Sequence, residues 1–161
     1  ENLNEDALEI INKKDFIFFL SLLVIDGSDN AEYFLYKYNL ANDEKKRLKF
    51  LSDNYKNILD NSFFNEKNLS KLHYKEPELV LDLIDFKIFI TKKVSKKNNE
   101  LRKLFLNKTK PIFPIKAINL INEYNLSEGK ELGDKIKKLE NLWINNNFKI
   151  SNDEIDKVVR N

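Results

Sequence analysis

The chain has 161 residues, 42% of them hydrophobic and 34% charged, with 28 Lys and Arg against 26 Asp and Glu. That much apolar material supports a packed interior and excludes wholesale disorder, while the even charge balance means that any basic surface must come from local clustering. There is no Cys, which excludes disulfides and thiolate chemistry, and the single His leaves little material for a histidine-based zinc site or a Ser-His relay.

The first residue is Glu1 and no Met occurs anywhere, so the expectation is a processed protein or a piece of something longer. No signal peptide is visible. Asn4 is placed to cap a first helix, with Glu5 and Asp6 at the positive end of its dipole. The longest apolar run, Phe16 to Ile25 with Ser21 interrupting, is too short to span a bilayer core of about 30 Å and reads as a buried core helix. After the turn at Asp26 to Asp29, a helix is expected from about Ala31 to Tyr38. Asn42 is the expected N-cap of the next, in which Leu48, Leu51, Tyr55, Ile58 and Leu59 recur on one face. Pro77 suits the first turn of another helix, with Leu83, Phe86, Ile90 and Val94 as its inner stripe. Asn99 is the expected cap of a further helix holding Leu101, Leu104 and Phe105. The last piece opens on a capping-box pattern, Ser151 to Glu154. With helical period throughout and no alternating strands or hairpin turns, the expected fold is all-α: an irregular multi-helix bundle without a sheet, and no fixed-period repeat.

Few residues suggest catalysis. Asp26 and Asp29 flank a turn, and Asp82 and Asp85 sit three apart on a helix. Neither pair has a third ligand, so all four read as solvated turn and helix-surface acids. His73 reads as a partly buried or surface residue. Gly27, Gly129 and Gly133 are too few and too scattered to build a phosphate-cradling loop. The chain therefore carries no self-sufficient active site.

Positive charge is more suggestive. Lys92, Lys93, Lys96 and Lys97 are read as ending the Pro77 helix, and Arg102, Lys103, Lys108 and Lys110 follow. These are eight cations within 19 residues, with only Glu100 opposing them. Lysines at a helix C-terminus meet the negative end of its dipole, but this number exceeds what a helix end needs and points to phosphate binding. A second group, Lys45, Lys46, Arg47 and Lys49, lies beside Asp43 and Glu44 and reads as a solvated helix face.

The stretch from residue 111 to residue 151 holds two of the three glycines and two of the three prolines. Pro111 and Pro114 predict an extended arm. A short helix is expected over Ala117 to Tyr124, and Ser127 is the expected cap of the next. Gly129 would open that helix start to close approach of a ligand at the free amides, with Lys130 beside it. Gly133 is expected to allow tight packing. Leu132, Ile136, Leu139 and Trp143 fall on one face, with Trp143 as a core anchor.

In Phe113, Pro114, Ile115, Leu120, Leu126, Gly129, Leu132, Gly133, Leu139, Trp143, Ile144 and Phe148 this stretch resembles the C-terminal region of bacterial tRNA nucleotidyltransferases. This is the family of the CCA-adding enzyme and poly(A) polymerase. The segment "LANDEKKRL", Leu40 to Leu48, resembles a segment of the same family's helical body. Ala117, Asn119 and Asn125 depart from it, standing where the motif has glycine, aspartate and glycine. The family's Gly-Ser loop and paired metal-binding aspartates are not recognisable, so no catalytic residue carries over. The resemblance implies a helical body over 1–110 and a helical tail over 111–161, without the nucleotidyltransferase head, and hence no enzyme activity in this piece alone. It implies a fragment that binds tRNA, or another RNA near its 3′ end, by backbone contacts, with the head domain as a further partner. It further implies a cytoplasmic location, no membrane, no cofactor in the fragment, and a parent enzyme using Mg²⁺ with CTP or ATP. The expected phosphate contacts are Lys92, Lys93, Lys96, Lys97, Arg102, Lys110, Gly129 and Lys130. The alternative is a helical module for protein contact or dimerisation without RNA binding.

Overall fold

The computed structural model of the protein describes residues 5–92 and 95–160. These residues form helices and connecting turns, with no strand among them. None of the helices is long and apolar enough to cross a membrane. The chain divides into two units, Glu1–Thr109 and Lys110–Asn161.

The first unit contains α1 (Glu5–Asn12), α2 (Phe16–Val24), α3 (Asn30–Lys37), α4 (Asn42–Asp53), α5 (Tyr55–Leu59), α6 (Glu66–Lys75), α7 (Val80–Thr91) and α8 (Lys96–Leu106). Its centre is α7, whose sequence VLDLIDFKIFIT is apolar on every side apart from Asp82, Asp85, Lys87 and Thr91. A helix of that kind must be covered all round. It is packed by α2, α4, α5, α6 and α8, and every residue from Asp82 to Ile88 is buried. Phe18 of α2 meets Phe86 and Phe89 edge-on, with ring centroids 6.5 and 5.7 Å away.

The second apolar helix behaves differently. Expected as a buried core helix, α2 buries Ile17, Phe18 and Ser21 but leaves Phe16 73% and Leu23 82% exposed. One face is used by the core and the opposite face is bare.

The helix starts differ in detail from the sequence-based expectations. Asn4 and Val94 lie outside the described residues. Ala41 precedes α4 in place of Asn42, and its amide donates to Glu44 at 2.8 Å. Ser95 caps α8 in place of Asn99, accepting the Asn98 amide at 3.1 Å. Pro77 lies in a turn before α7 rather than in its first turn. Asp15 caps α2, taking the Phe18 amide at 3.0 Å. Leu59 and Leu104, expected on inner faces, are 53% and 40% exposed, because a break at Asn54 re-aims α5 and the core side of α8 is filled by Leu101 and Phe105.

The second unit contains α9 (Ala117–Tyr124), α10 (Lys130–Asn145) and α11 (Asn152–Arg160). Leu132, Leu139 and Trp143 are buried along one face of α10 with Ile136 beside them, as the i, i+4, i+7 and i+11 spacing requires. Trp143 is enclosed edge-on by Phe113 at 5.4 Å and Phe148 at 4.9 Å. The Ser151–Glu154 capping box forms: the Ser151 amide donates to Glu154 at 2.9 Å, and the Glu154 amide returns to the Ser151 hydroxyl at 3.4 Å. At the other end of α11, the buried Lys135 ammonium donates to the Val159 carbonyl at 2.8 Å, a cation at the negative end of the dipole. Asn125 ends α9 in the left-handed region at φ 52°, a conformation that Asn tolerates better than most side chains.

The two glycines of α10 have different reasons to be there. Ser127 does not cap the helix; Gly129 does, at φ 154° and ψ −169°, a region open in practice only to glycine. Around Gly133, a Cβ would meet nothing within 4 Å, so the expected tight packing is absent. Gly133→Ala should therefore stabilise the protein by up to about 1 kcal/mol, the helix-propensity difference, while Gly129→Ala should cost about 1–3 kcal/mol in backbone strain. Thermal denaturation of the two variants checks this; destabilisation by Gly133→Ala would contradict it.

Candidate phosphate-binding surface

The charges of the first unit sort into those that pair inside it and those that remain outside. Asp82 and Asp85, expected as solvated surface acids, are 7% and 1% exposed. Their three-residue spacing puts both on the same side of α7. Lys14, in the α1–α2 connection, reaches both carboxylates, at 2.7 Å to Asp82 and 2.6 Å to Asp85. Arg47 of α4 donates through Nε to Asp82 and through Nη1 to Asp15. Arg102 of α8 donates through Nε to Asp85 at 2.8 Å. Three cations and three carboxylates thus close a largely buried network joining four parts of the unit. Burial works against the Asp15 carboxylate, but the Arg47 guanidinium and the Phe18 amide hold its pKa below the ordinary value.

This network reassigns two basic residues. Arg102, expected as a phosphate contact, is turned inward with its side chain 13% exposed, because a buried carboxylate needs a partner more than a solvent-facing phosphate does. Arg47, expected on a solvated face, is likewise engaged, and its neighbours Lys46 and Lys49 pair with Glu76 and Asp53. Lys108 pairs with Glu66 at 2.8 Å.

Lys92, Lys96, Lys97 and Lys103 remain exposed around the α7–α8 connection. Lys93 lies outside the described residues. The cluster does not end one helix, as the sequence suggested. Lys92 is the left-handed C-cap of α7 at φ 50°, whereas Lys96 and Lys97 open α8. At those first two positions the dipole repels a cation, at a cost of about 0.3–1 kcal/mol for each. Lys97 reaches the Asn61 carbonyl at 3.3 Å. Just inside it lies Lys87, which donates to the Ile58 carbonyl and stands 4.6 Å from the centre of the Phe64 ring. Burial first, and then the charge of Lys97, lower the Lys87 pKa, with Asp60 opposing.

The remaining expected contacts belong to the second unit. Lys110, Gly129 and Lys130 are all exposed, and the amides at the start of α10 have no side-chain cap. His73, expected at least partly exposed, is 3% exposed beside Phe105, with ring centroids 5.6 Å apart. No group of three or more potential metal ligands occurs among the described residues.

Sequence reasoning missed the importance of Lys14, Asp82 and Asp85. One signal was available: two carboxylates in a segment otherwise apolar all round have no water-facing side to occupy. No family model matches the sequence, and no curated protein or solved structure matches it either.

Removing one member of the network leaves its partners charged and buried. Asp85→Ala should cost about 3–5 kcal/mol in urea denaturation, while Lys49→Ala, whose pair with Asp53 is exposed, should cost well under 1 kcal/mol. Equal effects of the two substitutions would contradict a structural role for the network.

Proposed function

We propose that this chain holds RNA by its phosphate backbone, near the 3′ end, in the manner of the helical C-terminal part of a tRNA nucleotidyltransferase. The observation that carries the proposal is the placement of Lys96 and Lys97. Two exposed lysines at the start of a helix act against its dipole, and Lys97 also acts against the buried charge of Lys87. Cations at a self-repelling position are stabilised by an anion. Lys92 extends the patch on the preceding turn, and Lys103 lies two turns further along α8. The resemblance of the tail and of "LANDEKKRL" to the nucleotidyltransferase family supplies the choice of RNA. Lys110 and Lys130, with the Gly129 helix start, are proposed as contacts of the tail. Recognition through phosphates positions a duplex without reading its bases. No residue of this chain is assigned a catalytic role; chemistry, Mg²⁺ and nucleotide selection are proposed to belong to a separate head domain.

One observation favours a second reading, a protein-contact module: Phe16 and Leu23 on the bare face of α2 and Tyr36 on α3 are 73%, 82% and 90% exposed. Large apolar groups left exposed on one helix face, as Phe16 and Leu23 are, are a common mark of protein contact.

Binding of a stem-loop RNA with a single-stranded 3′ end, followed against salt, distinguishes the two readings. The RNA reading predicts that affinity falls steeply with salt and that Lys96→Glu with Lys97→Glu lowers the log–log slope by about 1.5, from roughly 0.7–0.9 for each phosphate contact. Glutamate at those positions suits the helix dipole, so the variant should stay folded. Absence of binding at low salt, or an unchanged slope in the double variant, would overturn the RNA reading. Concentration-dependent self-association of the wild-type chain, abolished by Leu23→Glu, would then support the other.

A further inference from the structure

The second unit contains a groove of about 550 Å³ whose character is opposite to that of the lysine patch. Pro114 and Ile115 of the arm, Ile150 ahead of α11 and Ile155 within it give the apolar part of its wall, and Asn119, Tyr124 and Asn152 add polar surface. Its charged lining residues are both acidic, Glu123 and Asp156, and no lysine or arginine lines it. Tyr124 donates to Oδ1 of Asp156 at 2.5 Å, which fixes that carboxylate and leaves Oδ2 as an acceptor. That hydrogen bond, the largest influence, raises the Tyr124 pKa. Glu123 is exposed and has no ion-pair partner among the described residues. Helix α9 ends at Tyr124, so the negative end of its dipole adds to the same potential. An opposing charge felt at Tyr124 is that of Arg160, one turn beyond Asp156.

A strip of apolar side chains beside two carboxylates and a helix C-terminus is matched by a ligand with an aliphatic stem and a cationic head. We propose that this groove is a docking site for a basic segment of a partner protein. A lysine or arginine of the partner lays its methylenes on Pro114, Ile115 and Ile155 and places its charge between Glu123 and Asp156. The volume exceeds that of one side chain and falls in the range of ligand-binding clefts. Nucleic acid is repelled here by both carboxylates, so the occupant differs from the proposed partner of the lysine patch. The inference does not rest on the RNA reading and survives its failure.

The test uses the full chain, isotopically labelled, titrated at low salt with two short peptides while amide resonances are followed. One is acetyl-Leu-Lys-Val-Arg-Leu-amide; the other replaces the Lys by acetyl-lysine and the Arg by citrulline, which keeps the shape and removes the charge. The expected result is saturable shifts at residues 119–124 and 152–156 with the basic peptide alone. Glu123→Lys, a change at an exposed helix position that keeps the fold, should weaken binding about fivefold or more. Saturable shifts with both peptides, shifts with neither, or an affinity unchanged by Glu123→Lys would overturn the proposal.

Discussion

Asp85 is the point on which the first unit turns. It is 1% exposed, and it is held from one side by Lys14 and from the other by Arg102. A carboxylate so buried is tolerated only when its charge is matched. Matching it requires the α1–α2 connection and α8 to lie against the same side of α7. Asp82, one turn earlier, makes the same demand of α4 through Arg47. Apolar packing alone would let these helices slide on the uniformly greasy surface of α7. Directional ion pairs fix which residue faces which.

The same constraint decides which cations are left for a partner. Of the eight cations between residues 92 and 110, Arg102 goes to Asp85 and Lys108 to Glu66. What remains on this unit among the described residues is a tighter group, Lys92, Lys96, Lys97 and Lys103. Its core sits where a helix begins, a place that gives lysine no intrahelical benefit. Interior pairing and exterior charge are therefore linked: the network uses up the inward-facing cations, and the outward-facing ones stand at an unfavourable end of α8. In the second unit the division runs the other way, with an acidic groove beside α9 and α11 and uncapped amides at the start of α10.

Much of the fold was legible locally. The Leu132, Ile136, Leu139 and Trp143 spacing gave the buried face of α10, the bounds of α9 followed from its flanking signals, and Ser151 with Glu154 marked the start of α11. These signals act within a turn or two of the chain. The buried network does not: Lys14 and Arg47 lie 68 and 35 positions from Asp82, and Arg102 lies 17 from Asp85. No local period encodes such pairings, so the acids read as surface residues and Arg102 as a phosphate ligand. The lysines misled for another reason. Lys92 to Lys97 looked like one helix end, but the left-handed turn at Lys92 and the cap at Ser95 split them between two helices. The bare face of α2 was hidden because its sequence is apolar on all sides, so composition could not say which face the core would use.

The central claim is that exposed lysines with no carboxylate partner among the described residues, rather than basic residues in general, hold the phosphates. Acetylation of lysines in the full chain, mapped residue by residue with and without a stem-loop RNA bearing a single-stranded 3′ end, tests it most directly. Lys92, Lys96 and Lys97 should lose reactivity when RNA is bound, while Lys46 and Lys49, paired with Glu76 and Asp53, should keep theirs. Uniform protection of all five, or none at Lys92, Lys96 and Lys97, would contradict it.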